Sequence, residues 1–374
     1  MQTIKSCSQE LSAISSWQLV ISSQRLVSTF FAAFCLFFAF GATAHEWGTI
    51  EKKKSVIKIY DASSKDNLLL DNQFGQVKVN LWDKNEIRID IHIVANSSSD
   101  DRAQEYLDGV VIEDKRDGNQ ISVRTIINKS NNSNSWSWKN NNNEKNFVQI
   151  DYNVSMPKNT PLTVKNRFGN TNIPTFKAPL VVVSKYGTFI ANDLVGSKND
   201  IDVSYGKAEI QQIANGNLDI SYSTLELEKA ENITLNNKFG KMKIGEVETL
   251  DGQISYSGGR IGTLKGSSKI KLSFSGGFRI DQLTQSADNV DILANYSSVV
   301  IPMENNECNF DVTVSYGGFK YPNDRKVSFT QNDDERKDNE HRGPKMTKQY
   351  VGKIGSGKGT RVKIVSKYGE VSLR

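Results

Sequence analysis

Ile201-Asp202-Val203-Ser204-Tyr205-Gly206-Lys207-Ala208-Glu209-Ile210-Gln211 is the stretch that decides the fold. Its apolar residues alternate with polar ones, the period of a strand with one buried face. By that alternation Ile201, Val203 and Tyr205 share a face. Gly206 then turns the chain, and Ala208 and Ile210 resume the pattern with Lys207, Glu209 and Gln211 opposite. The next residues repeat the sentence with Leu218, Ile220 and Tyr222, then Leu225 and Leu227. Corners such as Asn215-Gly216-Asn217 and Asp251-Gly252 hold residues that tolerate left-handed backbone.

Outward from this unit, an aromatic followed by Gly or Ser recurs. The copies begin at Phe168, Tyr186, Tyr205, Tyr222, Phe239, Tyr256, Phe274, Tyr296 and Tyr316, spaced by 18, 19, 17, 17, 17, 18, 22 and 20 residues. Further copies stand at Phe74-Gly75 and Tyr368-Gly369. Two short strands and two corners in ~17–18 residues make one coil of a β-solenoid. One coil cannot bury its apolar face, so coils stack at ~4.8 Å and satisfy one another's backbone groups. The sequence therefore predicts an all-β chain, a β-solenoid of two-strand coils preceded by a β-rich lead-in with one short helix. Because alternation places the aromatic with Ile, Val and Leu, it is expected inside, as a core ladder. The other reading is an exposed stripe that stacks on sugar rings or on another protein.

The rest of the chain divides around the repeat. Residues 1–44 read as a signal peptide: Lys5 and Arg25, an apolar run over 26–40, then Ala42-Thr43-Ala44 as a cleavage site. Cys35 follows the bulky Phe34, which argues against lipid attachment. Residues 45–160 form the lead-in or cap, with strands expected at 56–60, 68–74, 77–81, 87–93, 121–127 and 148–154. A helix is expected over 100–108, capped by Ser99 and ended by Gly109. Residues 161–321 are the solenoid, 322–349 a polar charged loop, and 350–374 C-terminal strands that return to the sheet. Residues 128–146 read as an Asn- and Ser-rich loop carrying Trp136 and Trp138.

Composition excludes several functions. The chain has 374 residues and a mean hydropathy of −0.48, too polar for a polytopic membrane protein. No transmembrane segment is expected after signal removal. Without Lys5, Arg25 and Glu10 the chain holds 45 basic and 41 acidic residues, interspersed, which argues against a nucleic-acid partner. Two cysteines leave with the signal, so Cys308 has no internal partner. Only His45, His92 and His341 are present, and none adjoins a nucleophile turn. No catalytic residue, cofactor or metal ligand is assigned, and Cys308 is read as a bystander. Cleavage after Ala44 would leave His45 as an amino-terminal histidine able to clamp copper, with His92 or His341 completing the site, but a structural or incidental His45 is the preferred reading. The carboxylates do not cluster as polysaccharide-cleaving solenoids require.

The segments Asn166-Arg167-Phe168-Gly169, Ser184-Lys185-Tyr186-Gly187 and Asn236-Asn237-Lys238-Phe239-Gly240, with Tyr152-Asn153-Val154-Ser155-Met156-Pro157, carry a resemblance. Over roughly residues 65–320 the chain resembles the bacterial families of unknown function named putative adhesins, near the auto-transporter adhesin head domains. The resemblance implies an exported β-solenoid with no catalytic residues to transfer. The expected function is non-enzymatic binding of a carbohydrate or an envelope or surface protein, in the periplasm or at the cell surface. Trp136, Trp138 and the outward Lys, Glu and Gln rows are the expected contacts. The alternative is a periplasmic structural or signalling accessory of an envelope protein, and an enzyme acting on polysaccharide comes last.

Overall fold

In the computed structural model, residues 49–128, 146–304, 306–335 and 346–374 are described, all within the unit Thr49–Arg374. Two parallel sheets run side by side along a β-solenoid, one made of the strands before each corner aromatic and one of the strands after it. The pre-ring sheet pairs Asn67–Gln73, Leu162–Arg167, Leu180–Lys185 and Asn199–Ser204 in parallel, then continues through the later coils. The post-ring sheet pairs Thr171–Ile173, Thr188–Leu194 and Lys207 onward in the same sense. Between them lies a single apolar core, with Val182, Ile201, Leu218 and Leu235 aligned across successive coils.

The middle coils are the most regular. Lys207–Ser221, Thr224–Lys238 and Lys241–Ser255 are each unbroken strands of 15 residues. Only the aromatic and the Gly or Ser after it leave the strand, because the second corner is a bend through which pairing continues. Gly258–Ser273 has one more residue, and the register shifts opposite Val247 and Thr249 to absorb it.

Antiparallel strands close both ends, so the stack does not offer bare parallel edges. At the N-terminal end Ile50–Asp61 pairs with Glu86–Ser97, which pairs with Phe147–Pro157. The helix Asp100–Asp108 covers this end, with Ser99 accepting from the Arg102 amide as its N-cap. A buried polar set links Thr125 Oγ1 to Asn72 Oδ1 and to the Tyr152 hydroxyl, each at 2.9 Å. Burial pushes the Tyr152 hydroxyl up to about 12.

At the other end the spatial order leaves the chain order. Thr360–Lys367 inserts between Asn289–Asn295 and Cys308–Ser315, parallel to both. Cys308–Ser315 then pairs with Thr347–Ile354, and that strand with Val327–Asn332, both antiparallel. Residues 327–332 and 347–349 are thus strand where a polar loop is expected from sequence. The reason is the rings Phe310, Phe319, Tyr321, Phe329 and Tyr350, which pack edge-on and tilted across this end. Phe329 sits in the strand Val327–Asn332 within this segment, and Tyr350 in the strand Thr347–Ile354 that begins there.

Candidate functional site: an exposed ring ladder

The corner aromatics are not in the core. All eleven take left-handed backbone, with φ between 50 and 64°. A strand residue in that region breaks the two-residue alternation, so the ring turns outward and the next residue turns in. Tyr205 is half-exposed while Val203, two residues before it, is fully buried. The expectation of an internal ladder is therefore corrected: the ladder exists, and it stands on the outer corner.

The inward residue explains the constant Gly or Ser. A Cβ on Gly187 would lie 2.0 Å from the carbonyl oxygen of Gly169, one coil below. Where Ser replaces Gly, its hydroxyl works at the same corner. Ser223 Oγ accepts from the Gly206 amide at 3.0 Å and donates to the Ser221 carbonyl at 2.8 Å. Ser257 does the same for Gly240 and Ser255. In other coils an Asn two residues before the ring supplies the donor, as Asn166 Nδ2 does to the Gly75 carbonyl at 3.1 Å.

The rings form one continuous stack, from Phe74 through Phe168, Tyr186, Tyr205, Tyr222, Phe239, Tyr256, Phe274, Tyr296 and Tyr368 to Tyr316. Neighbouring centroids are 4.6–5.1 Å apart and planes agree within 10°. Each ring from Phe168 to Tyr316 is 46–56% exposed. Stacked neighbours occupy the ring faces within the row, so the outward surface is mostly ring edge and, at seven positions, a tyrosine hydroxyl. Sugar stacking needs an open ring face, and the interior of this ladder does not supply one.

The energetics of the row are close to neutral. A stacked pair contributes about 0.5–1.5 kcal/mol, and a non-glycine left-handed residue costs about 1–2 kcal/mol. Glycine would make the same corner with less strain. Core burial does not account for an aromatic at every corner, and an exposed row of this length is a candidate binding surface.

The other expected residues are placed differently. Trp136, Trp138, His45 and His341 lie outside the described residues. His92 faces Ser55 across a strand pair, with Nδ1 3.2 Å from the hydroxyl. Cys308 is buried, and burial pushes its thiol up to about 11, which disfavours the nucleophilic thiolate. Among the described residues no group of three or more His, Cys, Asp or Glu could hold a metal ion. No described helix is long and apolar enough to cross a membrane. An open cleft of about 710 Å³ lies at the first coils, lined by Phe74, Phe147, Phe168, Gln76, Gln149 and Asp151 among others.

No protein-family model matches the chain, and no curated protein does. Solved structures similar to it include a putative adhesin from Bacteroides fragilis, 9% identical, covering 86% of this chain and 98% of that one, with a TM-score of 0.34. A putative lipid binding protein from Parabacteroides distasonis is 12% identical, covering 87% and 96%, at 0.34. A putative cell adhesion protein from Clostridium sporogenes is 13% identical, covering 86% and 99%, at 0.19. Two of these names are of the kind the corner motifs resemble.

Proposed function

We propose that the protein is an exported, non-enzymatic binding protein of the bacterial cell envelope that holds a carbohydrate or protein partner along its ring ladder. The observation that carries this reading is the ladder itself: eleven stacked rings held at strained corners, ten of them half in water. One contact repeated at every coil supplies affinity by number, as in other repeat proteins with extended surfaces. The outward rows that include Lys207, Glu209 and Gln211 flank that surface and add polar contacts.

The test uses the full chain and a variant with Tyr186→Gly, Tyr205→Gly and Tyr222→Gly. Glycine keeps the left-handed corners, so the coils are retained. Retention of the purified protein by envelope fractions is expected to fall by about tenfold, equivalent to ~1.4 kcal/mol, with an unchanged strand signal by circular dichroism. Unchanged retention by a folded variant overturns the reading. Protease treatment of intact and lysed cells then assigns the compartment: digestion on intact cells indicates the surface, and protection until lysis the periplasm.

A further inference from the structure

Charge is distributed unevenly around the ladder. The residue before each ring is at least partly exposed beside it except at Ser204 and Ser255, which are buried, and in the eleven coils this position holds Gln, Arg, Lys, Ser or Asn and never an acid. The residue two after each ring flanks the other side, and only Glu370 is acidic there, paired with Lys320 at 2.8 Å. At the first-coil end Asp151 accepts from the Gln76 amide beside Phe74; along the rest of the row acids begin further out, with Asp202 and Asp219 three residues before their rings and Asp200 five before. The two flanks carry Arg167, Lys185, Lys207, Lys238, Lys241 and Lys367. Lys207 is held by Glu209 and Glu226, and Arg167 lies 3.4 Å from Asp71. Lys185, Lys238, Lys241 and Lys367 form no direct ion pair among the described residues, although Lys185 is near enough to Asp202 to attract its carboxylate, and all but the half-buried Lys238 are exposed. From Lys185 to Lys367 the row runs about 34 Å at ~4.8 Å per coil.

The ring edges add to this. An aromatic ring is negative on its face and positive at its edge. Stacking covers faces within the ladder and leaves edges outward, and the tyrosine hydroxyls among them can donate hydrogen bonds. Unpaired ammonium groups, positive ring edges and phenol donors all favour a ligand that is anionic, rich in oxygen and extended. We propose that the ladder edge binds a linear acidic polysaccharide, a chain with carboxylates on its sugars, lying along the solenoid axis. A pyranose in such a chain advances by about the length of one coil, so successive sugars meet successive rings. Nucleobase stacking would need the covered faces, so a nucleic acid fits less well. This inference rests on the binding reading above and narrows its ligand.

The test is retention of the full chain by immobilised polygalacturonate, with dextran, single-stranded poly-dT and phosphatidylglycerol vesicles in parallel. Polygalacturonate is expected to bind, with affinity that falls as salt rises, and dextran is not. Lys185→Gln, Lys238→Gln and Lys241→Gln together should weaken binding about tenfold. Lys177→Gln, Lys269→Gln and Lys271→Gln remove the same charge away from the ladder and should change it less than twofold. Tyr186→Phe, Tyr205→Phe and Tyr222→Phe keep the rings and should weaken it about threefold by removing the hydroxyls. Oligogalacturonates should gain affinity with each added sugar until they span the row. Equal loss in both lysine triples, equal binding of dextran, or tighter binding of poly-dT or vesicles overturns the inference. If polygalacturonate fails while the glycine triple still loses envelope retention, only this inference falls. If the glycine triple keeps that retention, the binding reading falls with it.

Discussion

Two rows of side chains repeat once per coil, and they meet opposite fates. The row Val182, Ile201, Leu218 and Leu235 is sealed inside, each residue at most 2% exposed. The corner row of Tyr186, Tyr205, Tyr222 and Phe239 is stacked just as regularly and half of it is in water. Both are ladders of like residues imposed by in-register parallel coils. The inner row holds the fold through burial, at roughly 1.5–3 kcal/mol per side chain. The outer row gains little burial and must offset backbone strain. Regular repetition in a solenoid therefore does not by itself mean core, and the backbone region at the repeat decides which side a residue takes.

The sharpest way to break this comparison is to damage the inner row. Leu218→Ala should cost about 2–5 kcal/mol, since neighbouring coils fixed by backbone pairing cannot close the cavity. Denaturant unfolding measures it, and a loss no larger than that of a ring substitution would erase the distinction. Gly187→Ala comes next, at about 1–3 kcal/mol, because its methyl would meet the Gly169 carbonyl and spread two coils. A neutral result in thermal melting would show that the inward corner slot has room.

The end that closes the inner row is expected to be acid-sensitive. Asp66 is 1% exposed and accepts from the Ser63 amide at 2.7 Å and from Arg116 at 2.9 Å. Those bonds, the Ser63 amide first, hold its carboxyl below the usual carboxylate range. A group whose native pKa is depressed stabilises the fold above its unfolded value of ~3.9 and loses that contribution as pH falls through the native value. Stability measured from pH 6 downward should therefore drop below ~4, and Asp66→Asn should flatten that drop. An unchanged profile in the variant would remove Asp66 as its source.

The smallest effect is expected in the outer row. Tyr222→Ala loses two stacked contacts and keeps the strained corner, for about 1–3 kcal/mol. Tyr222→Gly loses the same contacts but relieves the strain, and should fall within about 1 kcal/mol of the wild type. If Tyr222→Gly were as damaging as Leu218→Ala, the ladder would be structural and its exposure incidental.

Much of this was legible. The 17-residue period, the strand pairs and the helix at 100–108 follow from alternation and from Ser99 and Gly109, which are local signals. The ring orientation was not, because alternation assumes extended backbone at every residue. A bulky aromatic is a poor candidate for the left-handed region on intrinsic grounds, so alternation alone places Tyr205 on the face of Ile201 and Val203. The cue lay beside it: the residue after every ring is Gly or Ser, too small a choice for an outward position. The rarity of acids next to the rings, with Glu370 alone among the residues just before and two after them, is equally readable in the sequence once the rings are known to point outward.

The sequence alone determined that coils of two strands stack with like residues in register, because period and alternation are properties of neighbouring residues. Only the tertiary structure decided that the coil ending in Leu373 slots between the coils of Tyr296 and Tyr316. Every coil in this protein offers nearly the same edge, so local pattern cannot rank its neighbours. The choice is settled by how the antiparallel strands and packed rings at the end close over the last coil, which no single repeat contains.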